Sequence, residues 1–337
     1  KPSLRVKLRK FETYNKMRHL NFSNPKGRTM IENYYADFLS KKIGLIGHYG
    51  EFVELYINKK NYGIYHMHSR EDESLIRLNN RMPGPLLLGQ HLIKDGWNID
   101  DFEIVNIESI TRNENIFEKM VDEINKSKYE WKDWSNFWEI INFDQTAKHI
   151  ALNTILGIIH NDYTHNHEFF YDRTLGKVEP IVSDAMSIGT FVYPWYKDRI
   201  SLNTILTNEK PDYMIPINQK TNPFLNKILL DTNFYHKKNE IINLLIRNEL
   251  SYTNQKKILD KIYSKIDYNV SRDPRKRYVI KRLSGWQIAK SSNFEYEKFK
   301  DKVFENIKKS KIYNKVLEIL PDSELMEFKI NENEKND

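Results

Sequence analysis

At 337 residues, 39% of them hydrophobic and 13% aromatic, the chain can bury a sizeable core in one large domain or two smaller ones. It has no cysteine, which excludes disulfides, thiolate zinc sites and thiol nucleophiles. The 53 basic and 46 acidic residues leave a formal charge of +7 but interleave along the chain, so most belong to solvated faces; local basic clusters at 1–10 and 272–282 can meet phosphates or polyanions.

The opening decapeptide KPSLRVKLRK is too charged for the apolar part of a signal peptide, and because the chain starts at Lys1 rather than Met an upstream segment has room to exist. Within it Leu4, Val6 and Leu8 alternate with Arg5, Lys7 and Arg9, the period-two pattern of a half-buried strand with one basic face on which Lys7 is central. The turn formers Ser23-Asn24-Pro25-Lys26-Gly27 lead into a helix expected over 29–42, with Gly44 as its stop. Strands are expected over 51–58 and 62–68, joined by a hairpin turn at 58–61. His66 and His68 fall on one face of the second strand, where they could bind a metal, line a cleft or face solvent.

An apolar helical run from Ile150 to Ile159 then delivers the chain to the polar loop His160, Asn161, Asp162, His165, Asn166, His167. A strand beginning at Phe169, a Gly-bearing turn at 175–177 and an apolar run over 178–182 end on Asp184. Beyond it, Phe191 to Tyr196 is an aromatic cluster, 211–223 is turn-rich, 224–320 has repeated helical spacing, and the apolar-free 331–337 reads as disordered. No stretch approaches the roughly 20 apolar residues of a membrane span. No helix-turn-helix, zinc-finger or stacked-aromatic pattern supports specific nucleic-acid binding.

The order helix, polar loop, hairpin, acid can fix Asp162, Asn166 and Asp184 at one cleft edge. That set suits phosphoryl transfer: one carboxylate deprotonates or orients a hydroxyl, while an amide oxygen and a second carboxylate hold Mg²⁺ or Mn²⁺ on nucleotide phosphates. The plain alternative is a capped loop of turn formers. A third reading groups His160, Asp162, His165 and His167 as the His/Asp metal site of a hydrolase with a metal-activated water, and a fourth is a scaffold without catalysis.

The succession of these pieces resembles the spore-coat CotH kinase family over most of the chain. KPSLRVKLRK is similar to its lysine-bearing strand, NPKGRTMIENYYADFLSKKIGL to its Arg-led helix, FVELYINKKNYGIYHM to its Asn-turn hairpin, and the segment 147–184 to its helix, Asp and Asn loop, and hairpin ending in an acid. The resemblance implies an α+β, atypical protein-kinase-like fold of two lobes: a sheet-rich lobe over 1–90 and a larger helical lobe over 91–330, followed by the tail 331–337. It implies ATP with Mg²⁺ or Mn²⁺ as cofactors and a protein acceptor, with a glycan or small molecule also in view. Asp162 would be the catalytic base, Asn166 and Asp184 the metal ligands, Lys1 or Lys7 the phosphate-facing lysine, and Arg28 the anion-binding residue at a helix start. Cytoplasmic and spore-coat or exported settings both stay open. The chain departs from the family at two places. Ser69 stands where a Glu follows Gly-x-Tyr, with Glu71 two residues late, and Ser183-Asp184-Ala185-Met186 stands where a Trp-Asp-x-Asp ending is usual. The departures keep a non-catalytic, pseudokinase-like scaffold in play.

Overall fold

The computed structural model describes residues 2–24, 31–89, 97–105, 115–126, 134–156, 158, 166–185, 223–271 and 273. Strands β1 (Leu4–Lys7), β2 (His19–Ser23), β3 (Gly50–Ile57) and β4 (Lys60–Ser69) form an antiparallel sheet in the order β1-β2-β4-β3. β1 lies at its edge, and Arg5, Val6 and Lys7 are all exposed. The alternation read from the sequence therefore marks a charged edge strand, which resists pairing with another chain, and not a half-buried one. Asn58 and Lys59 take positive φ values of 48° and 63° in the tight turn between β3 and β4, where Asn-containing turns match the strand twist.

Helix α1 (Glu32–Lys42) connects β2 to β3. It stops as the sequence requires: Gly44, at φ +80°, donates to the Lys41 carbonyl (3.2 Å) and Leu45 donates to the Ser40 carbonyl (2.9 Å), the paired bonds of a Schellman end. The chain then doubles back along α1. Gly47 passes so close to the helix that a Cβ there would collide with the Ser40 hydroxyl and come within 2.9 Å of the Asp37 carbonyl.

Strands β5 (Leu86–Gly89), β6 (Phe102–Val105), β7 (Glu168–Asp172) and β8 (Lys177–Ile181) form a second antiparallel sheet, ordered β6-β5-β7-β8. It draws strands from both sides of residue 90. Both of its faces are covered. Leu86, Leu88, Phe170 and Ile181 pack with Ile46 and with Leu75 and Ile76 of α2 (Glu73–Leu78), while Leu87, Phe169 and Val178 face the main core. At the centre of that core lies α5 (Phe143–Leu156), with buried residues all around its circumference, which is why its apolar positions follow no single stripe. α5 packs on β8, α1 and α7 (Thr232–Arg247). Helices α3 (Ile116–Asn125), α4 (Ser135–Ile140), α6 (Pro223–Ile228) and α8 (Tyr252–Ser271) complete the core.

The chain is thus α+β with two antiparallel sheets, consistent with a two-lobed kinase-like fold. The helical spacing read at 224–230, 240–250 and 255–266 corresponds to α6, α7 and α8. The aromatic cluster at 191–196, the turn-rich stretch at 211–222, the basic run at 274–282, the last helical pattern and the tail all lie outside the described residues.

The two-sided burial of the second sheet gives a stability test. Phe169→Ala removes a side chain that is 1% exposed and should cost about 3–5 kcal/mol. Phe11→Ala, at a position 91% exposed, should stay within about 0.5 kcal/mol of the parent. Urea unfolding of the two variants checks the contrast.

Candidate active site

One isolated parallel bridge joins the segment between α1 and β3 to the second sheet: Ile46 pairs with Ile181, and the Val182 N–H donates to the Ile46 carbonyl at 3.2 Å. Both isoleucines are 1% exposed. Two residues beyond Ile46 stands His48, and three beyond Ile181 stands Asp184, so the bridge sets these side chains beside one cavity of about 240 Å³. α1 contributes Asn33, Ala36 and Asp37, which share a helix face by their spacing of three and four. β4 contributes His66 and His68, whose period-two spacing puts both on the cavity face, as the sequence allowed. Glu71, just past β4, and Glu168, at the start of β7, add two carboxyl groups to the lining.

These side chains are braced from behind. The backbone N–H of His48 donates to the Asp37 carboxylate at 3.0 Å. Asp72 caps α2 by accepting from the Ser74 N–H (2.8 Å), and its other oxygen meets the His19 ring at 3.0 Å, which fixes the corner that carries Glu71. Ser69 is fully buried and serves several partners at once. Its N–H donates to the Tyr49 carbonyl (2.8 Å), its hydroxyl accepts from the Tyr49 N–H (3.2 Å), and its carbonyl lies 3.0 Å from His48 Nδ1 and 2.9 Å from His68 Nδ1.

The electrostatics are those of an anionic pocket. Burial pushes the Glu168 carboxyl up to about 8; His48 opposes the shift, and Glu71, Asp37 and Asp184 add to it. Burial likewise raises Asp37 to about 6, against the pull of His48 and Lys41. Burial alone would lower His48, but the carboxylates of Asp37, Glu71 and Glu168 outweigh it and the ring is raised. His68 falls to about 4 through burial and the neighbouring His48, and burial takes His66 well below its ordinary range. No lysine or arginine is among the described residues that line the cavity.

Of the residues singled out in the sequence, Asp184 lines this cavity, at φ 38°. Asn166 stands at φ 65°, a left-handed conformation that Asn tolerates, and its carbonyl accepts from the Ser183 hydroxyl at 2.7 Å, which ties the loop to the residue preceding Asp184. Lys7 is exposed on β1, paired with His19, and is not part of the lining. Lys1, Arg28, Asp162, His160 and His165 lie outside the described residues; Ser3 and Asn24, near Lys1 and Arg28 in sequence, do line the cavity. His167 is buried against Trp97 and Phe169 and is not part of the lining. The sequence reading did not single out Asp37, His48 or Glu168.

A family model described as CotH kinase protein matches residues 1–308. The chain belongs to the CotH kinase family. Membership implies a kinase-like function, and the cavity lies where the segment ending at Asp184 meets the first sheet. No curated protein matches the chain at a significant level.

Glu168 gives a pH test of the site. The folded chain keeps its proton up to about pH 8, whereas the unfolded carboxyl loses it near 4.5. The folded state therefore binds more protons across that window, and the stability this group contributes falls as pH rises through it. Glu168→Gln cannot titrate, so its stability relative to the parent should climb steadily from pH 4.5 to 8 in urea unfolding. Parallel curves would contradict the assignment.

Proposed function

We propose that the chain is a CotH-type kinase that transfers the γ-phosphoryl group of ATP to a hydroxyl of a protein, with Mg²⁺ or Mn²⁺ on the nucleotide; a glycan or small molecule is the further acceptor class. The observation that carries this reading is the position of Asp184, which follows the β7–β8 hairpin and shares the cavity with Glu71 and Glu168. The donors suit a hard divalent cation. Several carboxylates converge, and Glu168 Oε2 and Asn33 Oδ1 are buried oxygens without a hydrogen-bond partner. In this reading the cavity of about 240 Å³, smaller than the ~300–1,000 Å³ of ordinary ligand pockets, takes the metal and phosphate end of the nucleotide.

In this reading Asn166 and Asp184 hold the metal, which when bound neutralises charge on the phosphates. Asp162 takes the proton of the acceptor hydroxyl as its oxygen bonds to the γ-phosphorus. The bond from that phosphorus to the bridging oxygen breaks, and ADP leaves with the electron pair. Lys1 and Arg28 contact the phosphates, a role supported by the lining positions of their sequence neighbours Ser3 and Asn24, while exposed Lys7 is the weaker choice. The first sheet with α1 is the smaller lobe over the nucleotide. Ser69, in place of the family's acid, favours the second reading, a non-catalytic scaffold.

Two variants separate the roles. After chelator treatment, ATP with Mg²⁺ should raise the thermal midpoint of the parent; a ligand at 100 times its Kd contributes about 2.7 kcal/mol. Asp184→Ala should lose that shift. Asp162→Ala should keep it while phosphoryl transfer falls by roughly 10²–10⁴-fold, the usual worth of a general base. An unaltered shift in Asp184→Ala refutes the metal assignment, and no shift in the parent favours the scaffold. His160→Ala should spare transfer, whereas a His/Asp hydrolase would lose its activity.

A further inference from the structure

We propose that His48, His68 and Glu71 form a binding site for a divalent transition-metal ion of the Zn²⁺ class, with ligands distinct from Asn166 and Asp184 and with occupancy independent of nucleotide. One ligand atom from each of the three residues lies within 4.8 Å of the other two. Metal–nitrogen and metal–oxygen bonds of about 2.0–2.2 Å place ligand atoms roughly 3–3.5 Å apart, so shifts of about 1 Å close the set on one ion.

The hydrogen bonds fix which atoms are offered. A carbonyl oxygen can only accept, so His48 Nδ1 at 3.0 Å and His68 Nδ1 at 2.9 Å from the Ser69 oxygen both carry protons and donate to it. Each neutral ring is thereby held in the tautomer with its lone pair on Nε2. A backbone carbonyl behind an imidazole is the usual outer partner of a metal-bound histidine, and here one carbonyl serves two rings. The rings stand edge to face, with centroids 5.5 Å apart at 87°. The Ser23 hydroxyl lies 2.8 Å from His68 Nε2 and, with Nδ1 protonated, must donate to it; this hydroxyl occupies the position a metal would take and rotates away on binding.

The donor chemistry selects the ion. Two imidazoles and one carboxylate suit Zn²⁺, Co²⁺ or Mn²⁺, whereas Mg²⁺ prefers an all-oxygen, largely hydrated shell. The surroundings favour a cation: Asp37, Glu168 and Asp184 also line the cavity, and no lysine or arginine does so among the described residues. Three protein ligands leave at least one coordination position open, and it faces the cavity that Asp184 borders.

The test needs no nucleotide. The chelator-treated full chain is titrated with Co²⁺, read by its visible absorption, and with Zn²⁺ by calorimetry, both in a large excess of Mg²⁺. One ion should bind per chain. His48→Gln, His68→Gln and Glu71→Gln should each weaken it by at least the roughly 10–100-fold seen when even an outer partner is disturbed, while Asp184→Asn retains it. Thermal unfolding of each variant in chelator shows whether it folds. No uptake by the parent overturns the proposal whatever the variants do, as does uptake that survives in both histidine variants. Failure here leaves the ATP and Mg²⁺ response of the parent unaltered, so the two readings fail separately.

Discussion

The site depends on the hydrogen bond from Val182 to Ile46 and on the burial that protects it. A cleft needs two walls held at a fixed distance, and here one comes from α1, the segment after it and β4, the other from β7 and the end of β8. The two residues that join these walls, Ile46 and Ile181, are far apart in the chain. Ile46 and Ile181 are both buried in the apolar cluster under α2, so water does not compete for the 3.2 Å bond, and a hydrogen bond in such surroundings is electrostatically stronger than in solvent. Gly47 carries the constraint on to His48 by letting the backbone lie against α1, and Ser183 carries it to Asn166. The chemistry at the cavity is thus fixed by packing on the same face of the second sheet, where Phe170, two residues from Glu168, joins the apolar cluster under α2.

Burying carboxylates beside one another costs free energy, and the folded chain meets that cost by retaining protons. Glu168 stays protonated to about pH 8 and His48 is raised by the acids around it, while His66 and His68 stay neutral. Such an arrangement is not one that packing alone favours, because an apolar set of the same volume would avoid the desolvation cost. It agrees with the cation sites proposed above, because several carboxylates and imidazoles converge on one cavity. The large core centred on α5 offsets that cost, since most residues of the helix are buried.

Much of this was legible in the sequence wherever a local rule decides the structure. Asn58 to Asn61 marked the β3–β4 turn, Gly44 the end of α1, and Gly176 between two apolar runs the β7–β8 hairpin that delivers Asp184. β5 and β6 were not legible. Leu86 to Leu88 is an unbroken apolar run because the second sheet is buried on both faces, so the period-two signal that betrays a strand is missing. Asp37 hid on a helix where a polar residue reads as a solvated face, although Glu32, Asp37 and Ser40 are all buried there. His48 and Glu168 belong to no motif, and what unites them is the Ile46–Ile181 bridge, a long-range contact that no spacing encodes.

Ser69 braces the site through its backbone as well as its side chain. Its hydroxyl accepts from the Tyr49 N–H at 3.2 Å and lies 3.3 Å from His48 Nδ1. Its carbonyl, however, has two lone pairs and both are taken by imidazole N–H groups. Turning either ring over removes one of the two hydrogen bonds to this buried carbonyl, and such a bond is worth about 0.5–1.5 kcal/mol. The two rings are therefore set in one tautomer and one direction before any ligand arrives. Rotamers locked from behind are what allow a small site to bind without reorganising. Glu71 keeps an acid at the cavity, while Ser69, at the end of the strand before it, is the brace behind the two imidazoles.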